Sequence, residues 1–474
     1  MSRDFKNVSV FEGPSYYADF KHNEYADAIV EIKGLNGIDL DAVIGFDEDM
    51  LSKHLLILGG IGMGKTNLFK DIVKQASDKM KKDDVMLIFD TKGDFYNTFG
   101  DSKKDLLISN TPVKNSKGVL TEPGEESIWN IFLELDNEKL YETSNEIASM
   151  IFASHIEKSS QSFFPLAAKS IFAAVLREIY RCSSDVKGHF PSNELLKSFF
   201  NGENIYEGVD ESLREGNSVL ANIVNLLSSS KKDSGALGYI SVPEDESAPI
   251  DGQTLGVLAE LQLVIDELFI GNFAKKGSFS IRNAFRSRGG KRVFLEYDIV
   301  EGGVLSPIYS LLVDLAIKES IDARTEKNNP NAYFIIDEFK LLPNLKHMDD
   351  AVNFGRSLGV KFIIGVQNVS QIIENYGEDG AMNILSGFLN VMSFKVGDYA
   401  TRKYLVELFG ENRKRTSYLS AISSRGVVES LEKGNVVEDW DIQKMKKYEC
   451  IVRLCNDDEE YSSPFIFKTL RFTK

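Results

Sequence analysis

The stretch GGIGMGKT, residues 59–66, places Gly, four residues, then Gly-Lys-Thr directly after the apolar run LLIL and directly before a helical pattern. Glycines at Gly59, Gly60, Gly62 and Gly64 let backbone N–H groups converge on a phosphate with no side chain in the way. The helix that follows presents its unpaired N-terminal donors to the same anion. Lys65 is then placed to reach the β and γ phosphates of ATP, and the Thr66 hydroxyl to serve as a magnesium ligand. Ile61, Met63 and Asn67 belong to the same nucleotide-binding stretch.

Phosphoryl transfer to water also needs carboxylates, and two apolar runs end in one. LIFDTKGDF delivers Asp90, with Lys92 close by, and AYFIIDEF delivers Asp337 followed by Glu338. Only the second supplies an adjacent pair, which suits a division of labour. Asp337 would hold magnesium through water, and Glu338 would orient and polarise the attacking water. Gln367 ends the next apolar run, KFIIGVQ, where an amide can bond both that water and the γ phosphate. Arg356, in NFGRSLGV, lies in the segment leading into that run.

These residues need a scaffold that brings strand ends together. IVEIKG and LDAVIGF alternate as short strands within residues 1–50. LLIL, VMLIFD, RVFLEYD, AYFIID, KFIIGVQ, NVMSFKV and CIVRLC read as buried strands, with helical stretches between several of them. That alternation predicts a mainly parallel sheet flanked by helices, with ligands at its carboxyl edge. Between residues 137 and 274 strand signals nearly vanish, and SNEIASMIFASHI, PLAAKSIFAAVLREIY and GVLAELQLVIDELFI carry helical spacing. The organisation expected is an N-terminal short-strand segment (1–50), a first part of the nucleotide-binding domain (51–136), an inserted all-α domain (137–274) and a second part (275–474).

With 474 residues, 43% of them hydrophobic and 27% charged, the chain can bury a large core. Its formal charge of -16 argues against a protein that coats duplex DNA over its outer surface, although a local basic lining is compatible with that total. Three cysteines, Cys182, Cys450 and Cys455, suggest neither a disulfide framework nor a zinc site and fit a reducing compartment. No apolar run approaches the roughly 18–20 residues that a bilayer requires.

Taken in order, GGIGMGKT, FDTKGDF, FFPLAAKSIFAAVL, RVFLEYD, YFIIDEFKLL, GRSLGVKFIIGVQNVSQI and NVMSFKVGDYATRKYLVELFG resemble the motor region of conjugative type IV coupling proteins of the TraD/TraG kind. Those proteins belong to the wider group of DNA-pumping ATPases that includes FtsK and HerA. The resemblance runs from about Ile44 to Phe467. It implies a RecA-like P-loop NTPase that assembles as a homo-hexamer with ATP between neighbours. Arg356, nineteen positions after Asp337, would act in trans on the neighbour's γ phosphate, and Gln367 would be the γ-phosphate sensor. Asp90 and Lys92 would shape the turn of the family's second strand motif near the phosphates.

The function implied is ATP-driven recruitment and pumping of DNA, or of a relaxase–DNA complex, toward a secretion channel. Coupling proteins usually begin with a membrane span. Its absence here implies a cytoplasmic protein that reaches the inner face of the membrane through a separate anchor or channel partner. Two clusters could touch DNA in a ring pore: Arg282, Arg286 and Arg288 in RNAFRSRGGKR, and Arg413, Lys414 and Arg415 in RKR. Two other readings keep the same site: a soluble HerA-like ATPase partnered with an effector in defence against foreign DNA, and an ATP-gated adaptor that recruits without translocating.

Overall fold

The computed structural model describes residues 7–16, 18–23, 27–114, 120–184, 190–203, 218–242, 249–299, 302–322, 330–419, 427–455 and 463–472. The chain divides into two compact units, one built from Met1–Phe89, Thr325–Lys340 and Met348–Lys474, the other from Asp90–Arg324 and Leu341–His347.

In the first unit the apolar runs become parallel strands in the spatial order Asn390–Phe394, Leu55–Leu58, Val360–Val366, Ala332–Ile336 and Val85–Asp90. Every residue of all five is buried. This explains why they read as continuous apolar stretches: a parallel strand covered on both faces has no solvent side to alternate with. Beyond Asn390–Phe394 the sheet continues antiparallel through Glu449–Arg453, Phe465–Thr469, Val30–Asn36 and Asp41–Phe46. Here Val30–Asn36 shows the alternating burial of a sheet with one wetter face. Helix Lys65–Lys79 leaves the first of the central strands and buries Leu68, Phe69, Ile72, Val73 and Ala76.

A three-stranded antiparallel sheet of Asn7–Glu12, Glu411–Leu419 and Val427–Asn435 also belongs to this unit, and the sequence pattern does not announce it. ENRKRTSYL is rich in charge, and its register comes from a partner strand and not from a hydrophobic face.

The second unit carries the helices Leu140–Ile151, Phe163–Ser184 and Gly252–Leu268, where the apolar spacing predicts helix, and also Asn193–Phe200 and Ser218–Ser228. It also contains the parallel pair Leu106–Ser109 and Lys291–Glu296 and the helices Ile281–Ser287 and Gly302–Ile321. The unit therefore extends beyond the 137–274 interval on both sides. Buried polar groups explain the wider boundary. Glu134 accepts from Trp129 Nε1 (3.0 Å), Ile281 N (2.8 Å) and Ser280 Oγ (3.1 Å). Arg282 pairs with Glu146 (2.7 Å) and Glu319 (2.8 Å). A buried charge left without its partner is costly, so these pairs bind residues on both sides of position 274 into one body.

One buried group fixes the approach to the phosphate-loop strand. His54 sits in the left-handed region (φ 57°), and its Nδ1 accepts from Phe362 N at 3.1 Å, tying the residue before Leu55–Leu58 to the neighbouring strand. Burial, with Lys361 and Arg356 adding to it, pulls its pKa down to about 3. The folded state thus keeps His54 neutral, whereas the unfolded chain binds a proton below about pH 6.5. Stability from this group is present above that pH and is lost as pH falls toward 3. His54→Asn should be less stable than wild type at pH 7.5. In urea titrations the gap should narrow by about 2 kcal/mol at pH 5.0; an unchanged gap would refute the assignment.

Candidate nucleotide site

The loop of residues 59–66 connects strand Leu55–Leu58 to helix Lys65–Lys79. Gly62 (φ 75°) and Gly64 (φ 127°) occupy backbone conformations that side chains rarely tolerate, so the turn depends on glycine at both. The loop is held from outside as well. Gly59 N donates to Val366 O (3.1 Å), Gly60 N to Lys395 O (2.8 Å), and Tyr448 N to Met63 O (2.9 Å). A Cβ at Gly64 would lie 2.9 Å from the Tyr448 ring. Tyr448 is a residue the motifs did not reveal: it clamps the loop from a left-handed position (φ 68°), and no local pattern marks it.

Lys65 is buried, and its Nζ donates to the Gly59 carbonyl across the loop. Thr66 Oγ1 donates to Asp337 Oδ2 at 3.0 Å. These are hard oxygen donors, a hydroxyl and a carboxylate, brought to one place, which is the donor chemistry magnesium prefers. Asp337 owes its position to close packing beneath it: a Cβ at Gly365 would lie 2.2 Å from the Asp337 carbonyl oxygen. Gln367 Nε2 donates to Glu338 Oε2 at 2.7 Å and so fixes the carboxylate. Glu338 Oε1 is buried with no hydrogen-bond partner among the described residues; the nearest cation is Lys340 Nζ at 3.9 Å. An oxygen desolvated and left open in this way is suited to accept from a water.

Lys65, Thr66, Asp337, Glu338 and Gln367 thus all lie in the first unit. Arg356 stands apart from this cluster. It sits on the short helical turn Gly355–Leu358, half-exposed, its side chain paired among the described residues with the equally exposed Asp49 at 2.8 Å. Asn67 departs from expectation. Its side chain faces the C-terminal segment, donating to Leu470 O (2.8 Å) and accepting from Phe472 N (2.6 Å).

Comparison with known proteins bears on this arrangement. The family model described as the type IV secretion-system coupling protein DNA-binding domain matches residues 41–229 and 252–459. The chain belongs to that family. The coupling protein TraD of Escherichia coli is 24% identical over 157 residues, a match spanning 32% of this chain and only 22% of that protein. The bacterial conjugative coupling protein TrwB, in an unbound form, superposes with a TM-score of 0.65 at 18% identity, covering 95% of this chain and 90% of that one. TrwB in complex with ADP and Mg2+ gives a TM-score of 0.62 at 17% identity, with 95% and 90% covered. VirB4 of Thermoanaerobacter pseudethanolicus gives 0.54 at 12%, with 94% and 97% covered. The fold of this family member is thus α/β, a RecA-like P-loop architecture with an all-α domain.

Other expectations need correction. Arg282 and Arg288, candidates to touch DNA, are both buried, and Arg282 pairs with Glu146 and Glu319. Arg286 is half-exposed but pairs with Glu319 (2.7 Å) and Asp136 (3.4 Å). Arg413, Lys414 and Arg415 lie on strand Glu411–Leu419, where Lys414 pairs with Glu438 at 2.6 Å. Arg413 is exposed and pairs with Glu12 at 3.3 Å, whereas Arg415 is partly covered, 3.8 Å from Glu429 and over the Phe11 ring.

Asp90, the rival acid, is the last residue of strand Val85–Asp90 and makes a turn. Its Oδ2 accepts from Phe95 N and Tyr96 N, each at 3.0 Å, and its Oδ1 from Lys92 N at 3.3 Å. Burial raises its pKa despite these bonds. Among the described residues, no helix is long and apolar enough to cross a membrane.

The close approach under Asp337 gives a direct check. Gly365→Ala should cost about 1–3 kcal/mol in urea unfolding, because the added methyl meets backbone. Gly397→Ala, with nothing within 4 Å of its Cβ, should stay within about 0.5 kcal/mol of wild type. Equal effects at the two glycines would contradict the packing described.

Proposed function

We propose that this chain is an ATP-hydrolysing DNA translocase that recruits DNA, or a relaxase–DNA complex, and moves it toward a type IV secretion channel. The observation that carries the reading is the bond between Thr66 and Asp337 beside a Glu338 carboxylate steered by Gln367. A glycine turn that bound nothing would have no use for two acids and an amide gathered at its carboxyl edge. Family membership supports the destination of the DNA, and the related TrwB is known in complexes with ADP and Mg2+ and with a non-hydrolysable ATP analogue.

In this reading the loop amides and Lys65 bind the triphosphate, with Lys65 exchanging the Gly59 carbonyl for phosphate oxygen. Thr66 and Asp337 would hold magnesium, which supplies neutralisation of phosphate charge. Glu338 Oε1 accepts a hydrogen bond from the attacking water and aligns it for in-line attack on the γ phosphorus, while Gln367 keeps the carboxylate turned toward it. Arg356 enters from a neighbouring subunit of a hexamer, consistent with a side chain that its own site leaves outside. Arg413, exposed, and Arg415, partly so, are the cations proposed to meet DNA, and a separate channel or anchor protein would bring the assembly to the membrane.

Glu338→Gln keeps the size and the hydrogen bond from Gln367 but loses the carboxylate charge. It should retain ATP binding while DNA-stimulated hydrolysis drops by about 10²-fold or more. Hydrolysis within a few-fold of wild type would refute the mechanism.

A further inference from the structure

Arg356 is too far from the phosphate loop of its own chain to serve it. Its turn, Gly355–Leu358, precedes strand Val360–Val366, whereas Gln367, with the Glu338 it holds, follows that strand. A strand of this length separates its two ends by about 20 Å, beyond the span of an arginine side chain. The direction of the guanidinium is therefore decided at the amino edge of the sheet, where Asp49 meets it.

Asp49 stands on helix Glu48–Ser52, and that helix is fixed on several sides. Asp47 caps it by accepting from Met50 N at 2.8 Å. The buried Asn390 side chain donates to Met50 O (2.8 Å) and to His54 O (3.0 Å), joining the helix to the residue that enters strand Leu55–Leu58. Lys53 is buried, and its Nζ bonds both Asp49 Oδ2 (3.0 Å) and Cys455 O (3.1 Å). One carboxylate oxygen is thus held by a buried ammonium, and the other, Oδ1, accepts from Arg356 Nη2 at 2.8 Å. Burial opposes the ionisation of Asp49, yet Lys53 and Arg356 hold its carboxyl below the ordinary range.

An exposed ion pair contributes little stability. What a fixed carboxylate does for a long, half-exposed arginine is restrict its direction. The bond takes one Nη2 donor, and the planar fork has others to offer a phosphate oxygen. We propose that Asp49 is a positioning residue for Arg356: braced by Lys53, it aims the guanidinium at the nucleotide of a neighbouring subunit. The proposal rests on the reading of Arg356 as acting in trans. The same helix leads through His54 into the strand that ends at the phosphate loop, so the aim of each arginine is tied to the strand that carries its own chain's loop.

The test measures ATP turnover by the full chain with magnesium and DNA present. Asp49→Ala should lower kcat by about 10- to 100-fold, the scale of a catalytic group misplaced by about 1 Å, and leave KM for ATP unchanged. Asp49→Glu should recover most of that loss. An equal mixture of Asp49→Ala and Lys65→Ala chains should turn over several-fold faster than either variant alone, because Lys65→Ala neighbours lend a correctly aimed Arg356 to intact sites. Asp49→Asn, which keeps an oxygen for Lys53, should lose kcat and be complemented in the same way. A wild-type kcat in Asp49→Ala would overturn the proposal, as would a mixture no faster than its parts, or Asp49→Glu as slow as Asp49→Ala. Arg356→Ala, assayed alongside, separates the two readings. If Lys65→Ala chains complement Arg356→Ala but neither Asp49→Ala nor Asp49→Asn, only this inference fails. If Arg356→Ala turns over like wild type, the in-trans reading fails with it.

Discussion

Two residues 271 positions apart meet in one hydrogen bond: Thr66, at the start of the phosphate-loop helix, and Asp337, at the end of a strand. Everything the site does depends on that meeting. It happens because strands Leu55–Leu58 and Ala332–Ile336 both run parallel to Val360–Val366, which lies between them, so their carboxyl ends reach one edge. Gly365 on the intervening strand leaves room for the Asp337 backbone, and Gln367 follows that strand to hold Glu338. A side chain at Gly365 would disturb the acid without touching the loop. The chemistry is local, but its geometry is a property of the sheet.

Charge elsewhere in the molecule is largely spent on structure. In the second unit Arg282, Arg286, Lys318, Glu146 and Glu319 form a connected set of ion pairs. Arg177 and Arg181 converge on the buried Asp233. Such groups contribute by being satisfied where water cannot reach them, and removing one partner costs more than the pair itself provides. This is why a cluster of arginines in the sequence need not be a surface for nucleic acid. At the proposed site, Glu338 keeps a buried oxygen without a hydrogen bond among the described residues, 3.9 Å from Lys340 Nζ.

Much of the site was legible from local pattern. The spacing of GGIGMGKT, the apolar runs ending in Asp337, Glu338 and Gln367, and the helical periodicity between residues 137 and 274 each reflect constraints that act over a few residues. What was not legible depends on distant partners. The hairpin Glu411–Leu419 with Val427–Asn435 carries charges where strands usually show alternation. Tyr448 reaches the loop from nearly 400 residues downstream in a backbone conformation no motif predicts. Asn67, inside the nucleotide-binding stretch by position, bonds to the far end of the chain. Asp90 looked equivalent to Asp337 as the acid at the end of a buried run. The resemblance already implied that it shapes a turn, and its three backbone donors supply the geometry.

In the mechanism we propose, the site within one chain lacks a cation that a neighbour supplies, and Arg356, half-exposed and paired with Asp49, is that cation. Turnover per chain, measured against chain concentration with ATP, magnesium and DNA present, tests this most directly. The account predicts that it climbs steeply as chains assemble and then levels off. Turnover per chain that stays constant from the most dilute sample upward would contradict it.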